Sequence, residues 1–105
     1  MTTRLDTKDP VEMLVLSFDF SGGLGAGETL SGTPTVTASV LMGRDAAPTA
    51  IFNGPPVIDG TSTMVFVPVQ AGVDGCDYLL KVISATSNAS KVLALSAVLP
   101  VRSLS

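Results

Sequence analysis

The feature that most constrains the fold is a segment, beginning after Met13, in which every second residue is large and apolar. The apolar set is Leu14, Leu16, Phe18 and Phe20, and the set between them is Val15, Ser17, Asp19 and Ser21. Side chains of a β-strand point alternately to its two faces, so this spacing predicts a strand with one apolar and one mostly polar face. We expect the strand to end at residues 22–27, where four glycines in six residues favour a turn.

Further strands are predicted at regular intervals along the chain. They cover residues 34–42, 61–69, 78–86 and 91–101, with a short weak segment at 28–32. Residues 43–60 are the least regular part and can carry at most one edge strand near Ile51 and Phe52. Pro68 places the end of its strand, or an edge strand, at that position. Six to seven antiparallel strands at roughly ten-residue spacing are typical of a Greek-key β-sandwich, and no long helix is expected.

The chain length of 105 residues favours a single domain. We expect residues 1–12 to form an extended N-terminal arm and residues 13–105 to form the sandwich, because Pro10 forces Asp9 toward an extended conformation. Such an arm could add as a strand to the sheet edge of a neighbouring molecule. Deleting it should then weaken binding and leave the fold intact. A core filled mostly by Val and Leu is thin for this length, so we also expect stabilisation by assembly into a homo-oligomer.

Several classes of function are disfavoured by residues that the chain lacks. The absence of His removes the Ser-His-Asp and Cys-His catalytic systems and His-ligated metal sites. A net charge of −3 offers no basic patch for nucleic acid. The single Cys76 can form no internal disulfide. No signal peptide and no membrane span are expected, so the chain should be made in the cytoplasm of its host.

Local motifs that suggest chemistry have simpler structural explanations. The glycines of residues 22–27 follow a strand, but the residues after them cannot form the helix that a phosphate-binding loop requires, so we expect a plain turn. Asp74 and Asp77 lack the spacing of a calcium loop and are expected in a solvated turn. Asp19 is expected to face solvent or to guard an edge, and Cys76 to be a small packed or partly exposed side chain. We therefore predict no catalytic, cofactor-binding or metal-binding residue, and no cofactor.

The pattern Gly72-x-x-Gly75-x-x-Tyr78 is the most informative local motif. A loop with two glycines, followed by a strand that begins with Tyr, recurs in immunoglobulin-like and fibronectin-like sandwiches, where the Tyr hydroxyl bonds back to upstream backbone. The alternative is a core Tyr after an ordinary hairpin loop. Either way the motif serves the architecture.

The chain resembles small virion proteins of tailed bacteriophages that have an immunoglobulin-like fold. The resemblance lies in Lys8-Asp9-Pro10, in the strand Val15–Ser21, in Leu24-x-x-Gly27-Glu28-Thr29-Leu30, and in the Gly72–Tyr78 motif with the hairpin after it. It covers about residues 8 to 101. Phe20 stands where Trp is common in such proteins, and residues 43–60 match no part of them.

The resemblance implies a non-enzymatic structural protein of the virion. The implied role is a capsid decoration or cement protein, bound to the outside of the head through contacts with the major capsid protein or another virion structural protein. Copies of the chain would meet around a symmetry axis of the particle. A neck, tail or head-fibre accessory domain is one alternative, and a displayed module that binds a host surface or glycan is another. The second is disfavoured because the chain has no Trp and one Tyr to stack on sugars.

Overall fold

The computed structural model describes residues 2–103 and is all-β, which confirms the all-β part of the predicted fold class. Its strands are β1 (Thr2–Arg4), β2 (Leu14–Asp19), β3 (Leu30–Met42), β4 (Val57–Ile58), β5 (Met64–Val69), β6 (Asp77–Thr86) and β7 (Val92–Pro100). The helical segments of this part of the chain are two 3-10 helices, Ser21–Gly23 and Pro48–Ile51.

Strands β2 to β7 form two three-stranded antiparallel sheets. One has the order β3-β6-β7 and the other has the order β2-β5-β4. β1 extends the first sheet by pairing with β7 in the parallel direction. In the second sheet Leu14 lies opposite Val69 and Asp19 opposite Met64, so the whole length of β2 is paired.

Both sheets contribute to one hydrophobic core. The alternation that predicted β2 places Phe18 in this core, while Phe20 just beyond the strand is also buried. The buried apolar side chains are Phe18, Phe20, Leu30, Ile51, Val65, Val67, Val69, Cys76, Tyr78, Leu80, Val82, Ala97, Leu99 and Val101. Val and Leu supply more than half of this set, as the low aromatic content requires.

The central part of the chain differs most from the sequence-based expectation. β3 begins at Leu30 and continues through Gly32 and Pro34. A shift of register between Ser31 and Thr35 leaves these two residues out of the pairing with β6 without ending the strand. Residues 43–60 carry one short edge strand, as the sequence allowed, but it is β4 at Val57–Ile58 and does not lie near Ile51 and Phe52. Residues 48–51 form a 3-10 helix instead, and the strand-like pairing there is a single bridge from Phe52 to Val69.

The start of β5 is set by a polar loop that sequence analysis assigned to the strand. The carboxylate of Asp59 accepts hydrogen bonds from the backbone amides of Thr63 and Met64 and from the hydroxyl of Thr61. These bonds close residues 59–63 into a turn, so that pairing with β2 begins at Met64 rather than at Thr61.

The N-terminal arm is paired within its own chain. The amide of Leu5 donates to the carbonyl oxygen of Val98 at 2.8 Å, and the amide of Lys8 donates to that of Pro100 at 2.9 Å. The carbonyl oxygen of Lys8 in turn accepts from the amide of Arg102 at 3.0 Å. Residues 2–8 are therefore part of the first sheet, and we expect their deletion to lower stability, contrary to the sequence-based expectation.

Candidate interaction surface

Lys8 is a buried charged residue that the sequence did not predict. Its side chain is fully buried, and its ammonium group donates to the carbonyl oxygens of Ala71 at 2.6 Å and of Asp9 at 2.9 Å. Burial lowers the pKa of Lys8, although the carboxylates of Glu12 and Asp9 act in the opposite direction. The only sequence signal was that Lys8 opens the Lys-Asp-Pro motif. Its role is to fix the arm to the loop between β5 and β6.

The turn that follows Lys8 explains the rest of that motif. The carboxylate of Asp9 accepts from the amide of Val11 at 2.9 Å, and the carboxylate of Glu12 accepts from the amide of Asp9 at 2.8 Å. Pro10 lies inside this turn, where its fixed φ is compatible with the bend. The motif is therefore structural, and its two acidic residues satisfy backbone amides.

The glycine-rich residues 22–27 lead into β3 and are tied to the hairpin between β6 and β7. Glu28 makes this connection: its carboxylate accepts from the ammonium of Lys91 at 2.7 Å, the amide of Gly25 at 2.7 Å and the side chain of Asn88 at 3.2 Å. These bonds, that of Lys91 first, lower the pKa of Glu28 to about 2. The loop thus has the plain connecting role that its sequence suggested.

The two acidic residues around Cys76 serve separate structural contacts. Asp77 is buried and pairs with the guanidinium of Arg102 at 2.9 Å and, more loosely, with that of Arg4 at 3.7 Å. The expectation of a solvated turn is therefore wrong for Asp77. The carboxylate of Asp74 accepts from the amide of Ser103 at 2.9 Å. Within residues 2–103 no group of Cys, Asp and Glu is arranged to hold a metal ion.

Tyr78 forms a hydrogen bond with the loop that precedes it. Its buried hydroxyl accepts from the amide of Val73 at 2.8 Å and donates to the carboxylate of Asp45 at 2.6 Å. Burial and the bond to Asp45 raise the pKa of Tyr78 far above its ordinary value. The same bond lowers the pKa of Asp45. Tyr78 thereby joins the end of β3 to the loop before β6.

Cys76 and Asn88 are also held by local contacts. The Cys76 side chain is buried, and its thiol lies 3.5 Å from the carbonyl oxygen of Arg44, so the packed position expected for it is confirmed. The amide group of Asn88 donates to Glu28, and its oxygen accepts from the amide of Ser90 at 3.0 Å. Both side chains are thus used within the fold.

The outer side of the second sheet carries a surface that sequence analysis did not identify. On this side Val15 lies opposite Pro68, and Phe66 lies between Ser17 on β2 and Val57 on β4. Val15 is 65% exposed and Val57 is 54% exposed. We call Val15, Val57, Met64, Phe66 and Pro68 the apolar face. Asp19, at one end beside Met64, is the one charged residue among the paired outward positions of these strands.

The apolar face has the composition of a protein-binding surface. Charged residues are depleted from the centre of protein interfaces, whereas aromatic residues are enriched there. Contiguous exposed apolar surface on a small domain marks a place of contact with another molecule. The face can therefore bind a protein surface by exclusion of water, without any change in the fold.

Comparison with known proteins does not assign the chain to a family. No family model, no curated protein and no solved structure matches it. Within residues 2–103 there is also no helix with the length and hydropathy needed to cross a membrane.

Proposed function

We propose that this chain is a non-enzymatic structural protein of a tailed-phage virion, with an immunoglobulin-like β-sandwich, that binds the outside of the head as a decoration or cement protein. The observation that carries the proposal is the apolar face, because it offers a contact surface, whereas the polar clusters described above serve contacts within the fold. The sequence resemblance supplies the class of partner, which is the major capsid protein or another virion structural protein.

The strand order supports the immunoglobulin-like part of the proposal. Constant-type immunoglobulin domains have strands B, E and D in one sheet and C, F and G in the other. If β2 to β7 are taken as B to G, the orders β2-β5-β4 and β3-β6-β7 follow the same scheme. The bond from the Val73 amide to the Tyr78 hydroxyl supports it further, since a Tyr near the start of strand F bonds to upstream backbone in such domains.

The environment of the acidic residues supports a non-enzymatic role. The groups with clearly lowered pKa values include Glu28, Asp45 and Asp59, and each owes its shift first to a hydrogen bond within the fold. A perturbed carboxylate is a candidate for catalysis when it lies in a cleft and has a reactive partner. The carboxylates of these three residues instead form hydrogen bonds that stabilise loops, and these bonds cause their pKa shifts.

The first experiment is to measure the number of copies of this chain per purified particle by quantitative mass spectrometry against the major capsid protein. A copy number comparable to that of the capsid protein is expected for a decoration protein. A small fraction of it would overturn the decoration role in favour of the neck, tail or a fibre. Absence from the particle would overturn the virion assignment.

A matched pair of variants tests whether the apolar face is the contact. Val57→Glu places a charge beside Phe66, whereas Leu41→Glu places one at a residue of similar exposure, 57%, at the end of β3. We expect Val57→Glu to reduce the copies per particle and Leu41→Glu to leave them unchanged. Equal occupancy by the two variants would show that the particle contact lies elsewhere.

A further inference from the structure

The loop between Phe52 and β4 contains an Asn-Gly pair, formed by Asn53 and Gly54, and both residues are exposed. In such a pair the backbone nitrogen of Gly can attack the side-chain carbonyl carbon of Asn, because Gly has no side chain that obstructs the approach. The fold controls two conditions of this reaction. The Gly amide must be free of hydrogen bonds, and the Asn side chain must be free to turn toward it.

Both conditions are met at Asn53 and Gly54. The amide of Asn53 donates to the carbonyl oxygen of Pro68 at 2.9 Å, and this bond fixes the backbone on the amino-terminal side of the pair. Within residues 2–103 neither the amide of Gly54 nor the side chain of Asn53 takes part in a hydrogen bond. Gly54 has a φ of 137°, a conformation that a residue with a side chain rarely adopts, so the backbone also favours Gly at this position.

The comparable sites of the chain are held by hydrogen bonds. Asp59 and Asp74 also precede Gly, and their carboxylates accept from backbone amides. Asn88 is the only other Asn of the chain. Its side-chain nitrogen donates to Glu28 at 3.2 Å, and its side-chain oxygen accepts from a backbone amide at 3.0 Å. These three side chains must break bonds before they can reach the following amide, whereas Asn53 has none to break within the described part of the chain.

We propose that Asn53 undergoes spontaneous deamidation in the folded protein and that the product changes the edge of the apolar face. The nitrogen of Gly54 forms a bond to Cγ of Asn53 and loses its proton. The bond from Cγ to the side-chain nitrogen breaks, and ammonia leaves. Water then opens the cyclic imide at either of its two carbonyl groups, which gives Asp or isoaspartate. The sequence of steps consumes water and needs no oxidant, reductant or cofactor.

Asn53 lies at the edge of the apolar face. The bridge between Phe52 and Val69 places Asn53 opposite Pro68, whose partner on β2 is Val15. Residues that lie opposite each other on neighbouring strands direct their side chains to the same face. A Cβ at Gly54 would lie 3.6 Å from Cγ of Pro68, so the next residue is close to this proline as well. Deamidation therefore places a carboxylate beside Pro68.

The product opposes binding at the apolar face in two ways. A carboxylate must lose its hydration when another protein covers it, and charged residues are depleted from the centre of interfaces. Isoaspartate also adds one carbon to the main chain between Phe52 and β4, a strand of two residues that carries Val57. The effect on the particle contact rests on the proposed function, whereas the deamidation itself does not.

The chemistry is tested on the purified, folded protein kept at mildly alkaline pH, with a fresh sample as the baseline. Trypsin cleaves after Arg44, Lys81 and Lys91, so Asn53 and Asn88 fall in the separate peptides 45–81 and 82–91. The gain in mass of each peptide reports deamidation, fragmentation locates it, and an isoaspartyl methyltransferase detects isoaspartate. We expect Asn88 to react at least about tenfold more slowly than Asn53, because its hydrogen bonds must break first. Equal rates, or no reaction at Asn53, would overturn the proposal.

A matched variant separates the fold from the Asn-Gly motif. Ala89 is exposed, and Ala89→Gly gives Asn88 the same following residue as Asn53. In urea the two Asn-Gly pairs of this variant should react at similar rates. In the folded variant, Asn88 should remain at least about tenfold slower than Asn53. Equal rates in the folded variant would show that the hydrogen bonds of Asn88 do not protect it, and would overturn the structural basis of the proposal.

A second pair of variants tests the effect on the particle contact. Asn53→Asp reproduces one product, whereas Asn53→Gln keeps an amide whose longer side chain does not form the five-membered imide. We expect Asn53→Asp to reduce the copies per particle and Asn53→Gln to leave them unchanged. Equal occupancy by the two would overturn the effect on the apolar face. Absence of the wild type and both variants from the particle would overturn the proposed function and would leave the rates of deamidation as measured.

Discussion

The ammonium group of Lys8 lies 2.6 Å from the carbonyl oxygen of Ala71, 63 residues further along the chain. Ala71 has a φ of 48°, in the left-handed region that residues with a side chain rarely adopt. The bond therefore stabilises a residue that has an unusual backbone conformation. It also joins the arm to the loop that precedes Tyr78.

Replacement of Lys8 by Met should lower the free energy of unfolding by about 1–3 kcal/mol, because buried carbonyl oxygens lose a charged donor while the apolar part of the side chain is kept. Urea denaturation measures this loss. The control is Lys81→Met, at an exposed position on β6, with an expected change within about 0.5 kcal/mol. A Lys8→Met variant as stable as the wild type would show that desolvation of the charge offsets its hydrogen bonds.

Alkaline titration should report the environment of Tyr78 directly, since it is the only Tyr and the chain has no Trp. We expect the phenolate absorbance of the folded protein to appear well above the ordinary pKa of about 10. Asp45→Asn should lower that pKa without restoring the ordinary value, because burial is the larger cause. Asp74→Asn, which removes a carboxylate bonded to Ser103 instead, should leave the titration unchanged. An unshifted midpoint in Asp45→Asn would contradict the bond.

Gly72 and Gly75 allow backbone strain and packing to be separated, because both have a φ of 92°. A Cβ at Gly75 meets no atom within 4 Å, whereas at Gly72 it would lie 2.9 Å from a methyl group of Val101. Gly75→Ala should lower the free energy of unfolding by roughly 1–2 kcal/mol, because Ala is strained in the left-handed conformation. Gly72→Ala should lower the free energy of unfolding by about 1–3 kcal/mol more, because its Cβ would also be too close to Val101. Equal losses in denaturation experiments would rule out the packing role of Gly72.

Acidification should weaken the attachment of the glycine-rich loop through Glu28. Its pKa is lowered to about 2 in the folded state from 4.5, so the unfolded chain takes up the proton first. The stability that ionised Glu28 contributes is present above about pH 4.5 and is lost as the pH falls toward 2. The stability of Glu28→Gln should therefore be lower than that of the wild type near neutral pH, and the two stabilities should converge in acid.

Urea midpoints measured across this pH range provide the test for Glu28. Lys91→Met removes the main cause of the lowered pKa of Glu28. It should therefore reduce the change of the urea midpoint between about pH 4.5 and 2. If Glu28→Gln kept the full difference from the wild type at low pH, the carboxylate would not be the titrating group.

Local patterns predicted the strands but not their partners. The period of two in residues 14–20 depends only on neighbouring residues, and β2 was found from it. The apolar face escaped notice because Val15 belongs to a mostly polar set, and its proximity to Phe66 and Val57 depends on register between three strands. β1 and β4 are two or three residues long, too short for a pattern to form.

Buried polar groups were predicted poorly for a related physical reason. Charged side chains are almost never fully buried unless they have partners, so Lys8 and Asp77 were expected at the surface. Their partners lie far away in the sequence: Ala71 for Lys8 and Arg102 for Asp77. Tyr78 was anticipated more closely because the amide it accepts from is only five residues upstream.

The parallel pairing of β1 with β7 also determines the order in which the molecule can be completed during synthesis. Residues 2–8 leave the ribosome well before residues 96–102, whose backbone groups pair with them. The two antiparallel sheets can begin to pair earlier, because their contacts are made as each new strand emerges. Pairing of β1 with β7 is therefore a step that must wait until residues 96–102 have been made, and the long loop that it closes makes it a late event in the folding of this domain.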